Sequence, residues 1–352
     1  MSICSSNRTC ISSVIDTEDF VLNSFGADYN QLPFRARQKA VTMAYVNAFL
    51  SLPQYQFDQF PLSNEYKTMY ASYGMAKDCC QVTREAFIGD QKRYVSSFCK
   101  KRFCVVCNRI RQMVNFSLYE PLFRESLYFV TLTRRNVPET ALRAEIQALS
   151  DLFREINKNY FHRSGDKLKG LRKIETTYNA FRDDYHPHLH FLLTSKDLSI
   201  RLVEQWLMHP KNQSLVSELA QDIREADENS VFELCKYTSK IQTGNKSKAY
   251  VHPLDVINRA MCGRRSIQPF GFLVSKQDER ITEEAIYGKA YEWVDDERNW
   301  VHFGFAKFID RIRVQREEKG YTWFEYPERT RCVVTKEPLL SENISKPLID
   351  FL

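Results

Sequence analysis

The sequence predicts an α+β fold, a central antiparallel sheet flanked by helices, with accessory regions at both ends. Three observations predict it. The run Leu127-Tyr-Phe-Val-Thr-Leu-Thr133 is β-branched and aromatic, as a buried strand should be. Two more strand patterns, 171–178 and 188–194, are joined by a polar turn over 179–185. So short a link makes them antiparallel neighbours, because a parallel pair needs a long crossover. Between the first and second strands, 138–160 opens with Pro and Glu and places Leu142, Ile146, Leu149, Leu152, Phe153 and Ile156 at spacings of three and four, which predicts an amphipathic helix.

The other elements follow in chain order. Over 35–52 the residues Val41, Tyr45 and Phe49, with Ala44 and Ala48, fall at helical spacing. The surrounding region 1–75 holds five basic and six acidic side chains and no chemical motif, so it reads as a helical accessory region, a packing scaffold or docking surface. A basic, cysteine-bearing module follows over 76–112, then the α+β core over 113–275 with further helices predicted at 199–208 and about 230–240. The remainder, 276–352, turns acidic and then aromatic, and reads as a small accessory domain or a return to the main sheet.

Composition narrows the class. Of 352 residues 43% are hydrophobic and 27% charged, which excludes a disordered chain, a collagen-like repeat and a small disulfide scaffold. The longest apolar stretch, 41–52, is broken by Thr42, Asn47 and Ser51 and falls short of the ~18–20 residues of a membrane span. The first twenty residues lack the basic start and apolar core of a secretory signal. A cytoplasmic protein without membrane association is expected. The net charge of +6 is small, but its distribution is uneven. Between Gln91 and Gln112 lie Lys92, Arg93, Lys100, Lys101, Arg102, Arg109 and Arg111 with no acid and with Tyr94, Phe98 and Phe103 interleaved. Such a run is either a solvated face or a track for a phosphate backbone.

Inside that run, Cys104-x2-Cys107 has the spacing at which two thiolates meet one tetrahedral ion. Cys99 can supply a third ligand and either Cys79 or Cys80 a fourth. Four thiolates leave no open position, so a Zn²⁺ here would be structural. Cys4, Cys10, Cys235, Cys262 and Cys332 stand apart.

Three of the seven histidines fall within His186-Pro-His188-Leu-His190. On a strand, His188 and His190 point one way while Leu189, Phe191 and Leu193 point to the core. Two imidazoles so placed can converge on one divalent cation, and Glu175 on the preceding strand can complete the set. A histidine and carboxylate site with open positions suits Mg²⁺ or Mn²⁺ acting as a Lewis acid on a phosphate. Downstream, Glu233, Tyr237 and Lys240 share one helical face. A tyrosine with an ordinary pKa of ~10 is a poor nucleophile at neutral pH and needs a metal-activated phosphate to attack.

Phe129-Val-Thr-Leu-Thr133, His186-Pro-His188-Leu-His190 and Glu233-x3-Tyr237-x2-Lys240, in that order, resemble the three motifs of the HUH endonucleases, in particular the single-tyrosine replication initiators of rolling-circle plasmids. The Cys99-to-Cys107 segment resembles the one preceding the nuclease in that group. The resemblance covers a little over half of the chain, from about Cys79 to Phe272. It implies a ferredoxin- or RRM-like HUH sheet and a protein that binds its own origin and cuts one strand. It implies a 5′-phosphotyrosine and a 3′ hydroxyl that primes synthesis by a host DNA polymerase. By position it makes His188, His190 and Glu175 the ligands of Mn²⁺ or Mg²⁺, Tyr237 the nucleophile and Glu233 the activator of water in the terminating cut. Lys240 would contact the scissile phosphate or steady the phenolate. Proposed DNA contacts are Lys100, Lys101, Arg102, Arg109, Arg134 and Arg135, with Lys246, Lys248, Arg264 and Arg265. With no GxxxxGK[ST] motif, unwinding falls to a host helicase. Rival readings are an HUH transposase or mobilisation relaxase, and a non-enzymatic zinc-containing DNA-binding regulator.

Overall fold

The structure is a computed structural model that describes residues 32–55, 63–80, 82–88, 91–96, 98–227, 230–231, 234 and 249–271, with short strands at 292–293, 300–302, 313–316 and 322–325. Its centre is a five-stranded antiparallel sheet of order β6-β3-β5-β4-β8. The strands are β3 (Tyr128–Thr133), β4 (Gly170–Asn179), β5 (Asp184–Leu193), β6 (Asp222–Glu225) and β8 (Ile267–Phe270). As the short turn requires, β4 and β5 form an antiparallel hairpin, closed where Asn179 Oδ1 accepts from the Phe181 and Arg182 amides.

Two helices cover one face, α4 (Glu139–Ile156) and α5 (Lys196–Met208). The six apolar residues predicted for α4 are all buried, in one core with Val130, Leu132, Ile174, Leu189, Phe191 and Leu193. The helix predicted over 138–160 is continuous, α-helical to Ile156 and π-helical over Asn157–His162. β5 begins four residues before the predicted start, since Asp184 pairs with Asn179 and the ladder runs unbroken past Pro187. Proline is tolerated in this central strand for a geometric reason. Tyr185 exchanges both backbone hydrogen bonds with Val137, so Pro187, two residues on, aims its nitrogen to the same side, where β3 has already ended at Thr133 opposite His188.

The opposite face is covered by α3 (Val105–Phe123). Tyr119, Leu122 and Phe123 form a second core with Phe129, Leu171 and Leu192. A helical turn starting at Ser230 brings Val231 and Leu234 into the same cluster.

A third core joins α1 (Leu32–Leu50), α2 (Asn64–Asp78), the start of α3 and α6 (Val251–Ala260). Val251 and Leu254 of α6 belong to this core, whereas Val256, Ile257 and Ala260 belong to the sheet core. Asp255 sits between the two, fully buried. It accepts from Tyr55 and Tyr73 hydroxyls at 2.6 Å each, from Arg259 Nε at 2.9 Å and from Gln54 at 3.2 Å. Burial, reinforced by the Asp255 carboxylate, raises both phenols so that they remain donors. Asp255→Ala is expected to lose about 3–5 kcal/mol, the cost of breaking a buried ionic cluster. Urea unfolding checks this: an Ala variant with the wild-type midpoint would make the cluster incidental.

The hairpin β1 (Val82–Ile88) and β2 (Gln91–Ser96) pairs with β9 (Glu292–Trp293) and β10 (Trp300–His302). A ribbon of β11 (Arg313–Arg316) and β12 (Thr322–Glu325) pairs with β7 (Ala249–Tyr250). The described C-terminal strands thus pair outside the five-stranded sheet. Among the described residues no helix is long and apolar enough to cross a membrane.

Candidate active site

The face of β3, β5 and β4 beneath α3 carries the histidines. Glu175 stands directly opposite His188, and Lys173 opposite His190. The alternation of a strand puts Lys173 and Glu175 on one side and Arg172 and Ile174 on the other. One ligand atom from each of Glu175, His188 and His190 lies within 4.8 Å of the other two. Exposure is 1%, 7% and 9% respectively, so the group is held from below and opens only narrowly.

Neighbouring atoms orient both rings. His188 Nδ1 lies 3.0 Å from the His186 carbonyl; since a carbonyl only accepts, Nδ1 carries the proton and Nε2 presents its lone pair. His190 Nδ1 meets Thr131 Oγ1 at 3.0 Å, and its Nε2 lies 3.7 Å from Glu175 Oε2. The same carboxylate oxygen pairs with the buried Lys173 ammonium at 3.0 Å. Burial, aided by His188 and Arg182, pushes His186 down to about 4, so it stays neutral beside them. Two imidazoles, that of His188 of fixed tautomer, and one carboxylate are a donor set that fits Mg²⁺ or Mn²⁺.

Sequence reading missed Thr131 and Lys173. Thr131 lies in the motif Phe129-Val-Thr-Leu-Thr133, but its role depends on standing opposite His190, a register that only strand pairing reveals. Glu233, Tyr237 and Lys240 lie outside the described residues, as do Lys246 and Lys248.

The cysteines form a second group. Sγ atoms of Cys79, Cys99, Cys104 and Cys107 all lie within 4.8 Å of one another. The Cys79–Cys107, Cys79–Cys104 and Cys99–Cys107 separations are 3.4, 3.5 and 3.6 Å. A tetrahedral ion with Zn–S bonds of ~2.3 Å sets its sulfurs about 3.8 Å apart, so the group fits Zn²⁺. Cys79 belongs to the group; Cys80, beside it in a left-handed conformation at φ 55°, does not. Cys104 precedes the first residue of α3 and Cys107 lies in its first turn, so the x2 spacing is one helical turn. Lys100, also at φ 55°, turns the backbone so that its own amide donates to Cys107 Sγ, the Lys101 amide to Cys99 Sγ, and the Cys99 amide to Cys79 Sγ. Although burial opposes it, hydrogen bonds from Cys107, Cys79 and Cys99 hold the Cys104 thiol well below the usual range. From α1, Thr42 Oγ1 donates to the Gln38 carbonyl at 2.9 Å, lies 3.8 Å from Cys104 Sγ and accepts from the Val105 amide at 3.0 Å, capping α3 from another helix.

The basic residues separate into different settings. Lys100, Lys101 and Arg102 line a cavity beside the cysteine turn. Arg109 is half-buried and donates to Gln112. Arg135 is exposed. Arg134 departs from the sequence expectation of a DNA contact. It is buried, pairs with Glu145 at 2.8 Å and donates to the Lys211 carbonyl at 2.6 Å, so its guanidinium holds the end of β3 to α4.

Residues 90–211 match the family model described as a replication protein. A curated protein of Staphylococcus aureus, "Protein rep", is 32% identical over 201 residues, which span 50% of this chain and 86% of that one. The chain belongs to the replication protein family. Other replication proteins match over shorter spans. "Protein rep" of Streptococcus pneumoniae serotype 2 is 32% identical over 119 residues, 31% of this chain and 36% of that protein. The Lactiplantibacillus plantarum "Protein rep" is 32% identical over 130 residues, 34% of this chain and 41% of its own length. No solved structure matches the chain. The family span contains Cys99, Cys104 and Cys107 and the whole Glu175–His188–His190 group, and ends before Glu233.

Proposed function

We propose that this replication protein initiates rolling-circle replication of a plasmid by nicking and rejoining one strand at its own origin. The observation that carries the reading is the Glu175–His188–His190 group on the central sheet of a chain from this family. The tyrosine motif supports it by its place in the sequence. Leu234 shares a buried cluster with Phe129, whose ring centroid is 5.1 Å from that of His190. Tyr237 follows Leu234 by three residues in the sequence.

Bound at Glu175, His188 and His190, Mn²⁺ or Mg²⁺ would supply Lewis-acid polarisation of the scissile phosphate. Tyr237 Oη forms the new bond to phosphorus, the P–O3′ bond breaks in line, and the phenolic proton ends on the departing 3′ oxygen. The products are a 5′-phosphotyrosine and a 3′ hydroxyl for a host DNA polymerase, with a host helicase opening the duplex. Lys240 contacts the phosphate or steadies the phenolate. In the terminating cut Glu233 takes a proton from water, and hydrolysis releases the strand. The cysteine group holds Zn²⁺ as structure.

A covalent-adduct assay tests this. Labelled single strands tiled across the DNA flanking the gene are incubated with the protein and Mn²⁺, then resolved on denaturing gels. The wild type is expected to give a metal-dependent shifted band that Tyr237→Phe abolishes. Binding without an adduct on any tile would replace the nuclease by a DNA-binding regulator.

A further inference from the structure

Between the cysteine turn, α3 and the link from α6 to β8 lies an open cavity of about 460 Å³. That falls within the ~300–1,000 Å³ usual for small-ligand sites. Its walls are of two kinds. Lys100, Lys101, Arg102, Arg111, Arg264 and Arg265 are exposed or half-buried and form a cationic mouth, and no lining residue is an acid. Met69, Val114, Met261 and Ile267 are buried and form an apolar interior.

Among the lining residues Asn115, Asn258 and Ser266 are buried and polar. Asn115 Nδ2 and Ser266 Oγ are buried and have no hydrogen-bond partner among the described residues. Each such group carries a desolvation penalty, which a ligand with polar atoms at its edge would recover. An apolar slot with an amide inside and cations at the mouth matches a flat heterocycle joined to a phosphate. Inorganic phosphate alone would leave the apolar wall unused.

The cavity also adjoins the metal-type group. The Ser266 carbonyl accepts from the Ile174 amide at 2.8 Å, and Ile267 pairs with Lys173. Lys173 in turn pairs with Glu175. One wall of the cavity is therefore hydrogen-bonded to the strand that carries the carboxylate ligand.

We propose that this cavity seats one unpaired nucleotide of the DNA strand being cut, with its base in the apolar interior against Asn115 and its phosphate on the cationic mouth. The proposal rests on the nuclease reading for the identity of the strand. A free mononucleotide has the same chemistry, so the experiment must separate the two.

Full-length protein is titrated into fluorescein-labelled oligo(dT) and anisotropy is read across a KCl series. Asn115→Leu, close to isosteric, is expected to weaken binding about tenfold, the loss of a hydrogen bond and its discrimination. The double variant Lys101→Gln/Arg265→Gln, which touches no core residue, is expected to flatten the slope of log K against log salt by ~0.7 for each phosphate left without its cation. Lys158→Gln, an exposed cation in the turn after α4, should alter neither. Competition with dTMP resolves the source: displacement at concentrations comparable to oligo(dT) would overturn the strand assignment in favour of a free nucleotide. If Asn115→Leu and the double variant both bind as wild type, the proposal fails, while a wild-type Tyr237 adduct would leave the nuclease reading standing. Weakened variants without any adduct would sink the nuclease reading and keep the nucleotide site.

Discussion

Cys104→Ser is expected to abolish the proposed zinc binding and to unfold the region around α1, α2 and the start of α3. The four sulfurs lie at the meeting point of three segments: Cys79 follows α2, Cys99 lies in the turn, and Cys104 and Cys107 open α3. The third core, with Phe49, Tyr73, Phe103 and Val105, is built on the same segments. Even the cap of α3 comes from Thr42 on α1. Structural zinc contributes ~10–16 kcal/mol in small domains, comparable to or above the ~5–15 kcal/mol net stability of a whole protein. Metal analysis and thermal unfolding should show equimolar zinc in the wild type, zinc lost in Cys104→Ser, and a lower first transition in the variant or on chelation. Cys80→Ser should keep its zinc, because Cys80 stands outside the group. A wild-type protein that purifies without metal and melts unchanged in chelator would refute the zinc assignment.

Legibility in the sequence followed periodicity. Each core position of α4 could be read because an amphipathic helix on a sheet repeats every three to four residues. The division of β5 into histidines on one face and Leu189, Phe191 and Leu193 on the other could be read because a strand repeats every two. The antiparallel β4–β5 pairing followed from the short turn, and it placed Glu175 opposite His188. What stayed hidden was non-local. The stretch from Gln91 to Gln112 reads as a charge run with cysteines, and nothing in it shows that its end opens a helix capped by Thr42, more than sixty positions earlier. Asp255 carries no motif, yet it gathers two tyrosines from separate elements beside Arg259 on its own helix. Arg134 looked like a phosphate contact because Glu145, its partner, lies a turn of sheet and helix away. Cys79 and Cys80 are equivalent on paper and differ only in which way the left-handed turn at Cys80 sends them.

Loss of His190 should abolish cleavage, and loss of Thr131 should only weaken it in a way that metal repairs. His190→Ala removes a proposed metal ligand, and a Lewis acid contributes several kcal/mol to the transition state. Since 1.36 kcal/mol is tenfold in rate, a loss of about 4 kcal/mol is a fall of about a thousandfold. Raising Mn²⁺ should not restore it. Thr131→Val keeps the volume but takes away the oxygen that meets His190 Nδ1 at 3.0 Å, so the ring loses its orientation and not its nitrogen. Partners of that kind are worth about 10–100-fold in metal affinity, so the Thr131→Val deficit should vanish at saturating Mn²⁺. Single-turnover nicking against a Mn²⁺ titration separates the two: a depressed plateau for His190→Ala, a shifted midpoint with a normal plateau for Thr131→Val. If His190→Ala cleaves at the wild-type plateau, the histidines only pack the sheet and the metal chemistry must be sought elsewhere in the chain. If Thr131→Val lowers the plateau without moving the midpoint, the threonine acts on the phosphate itself and not through His190.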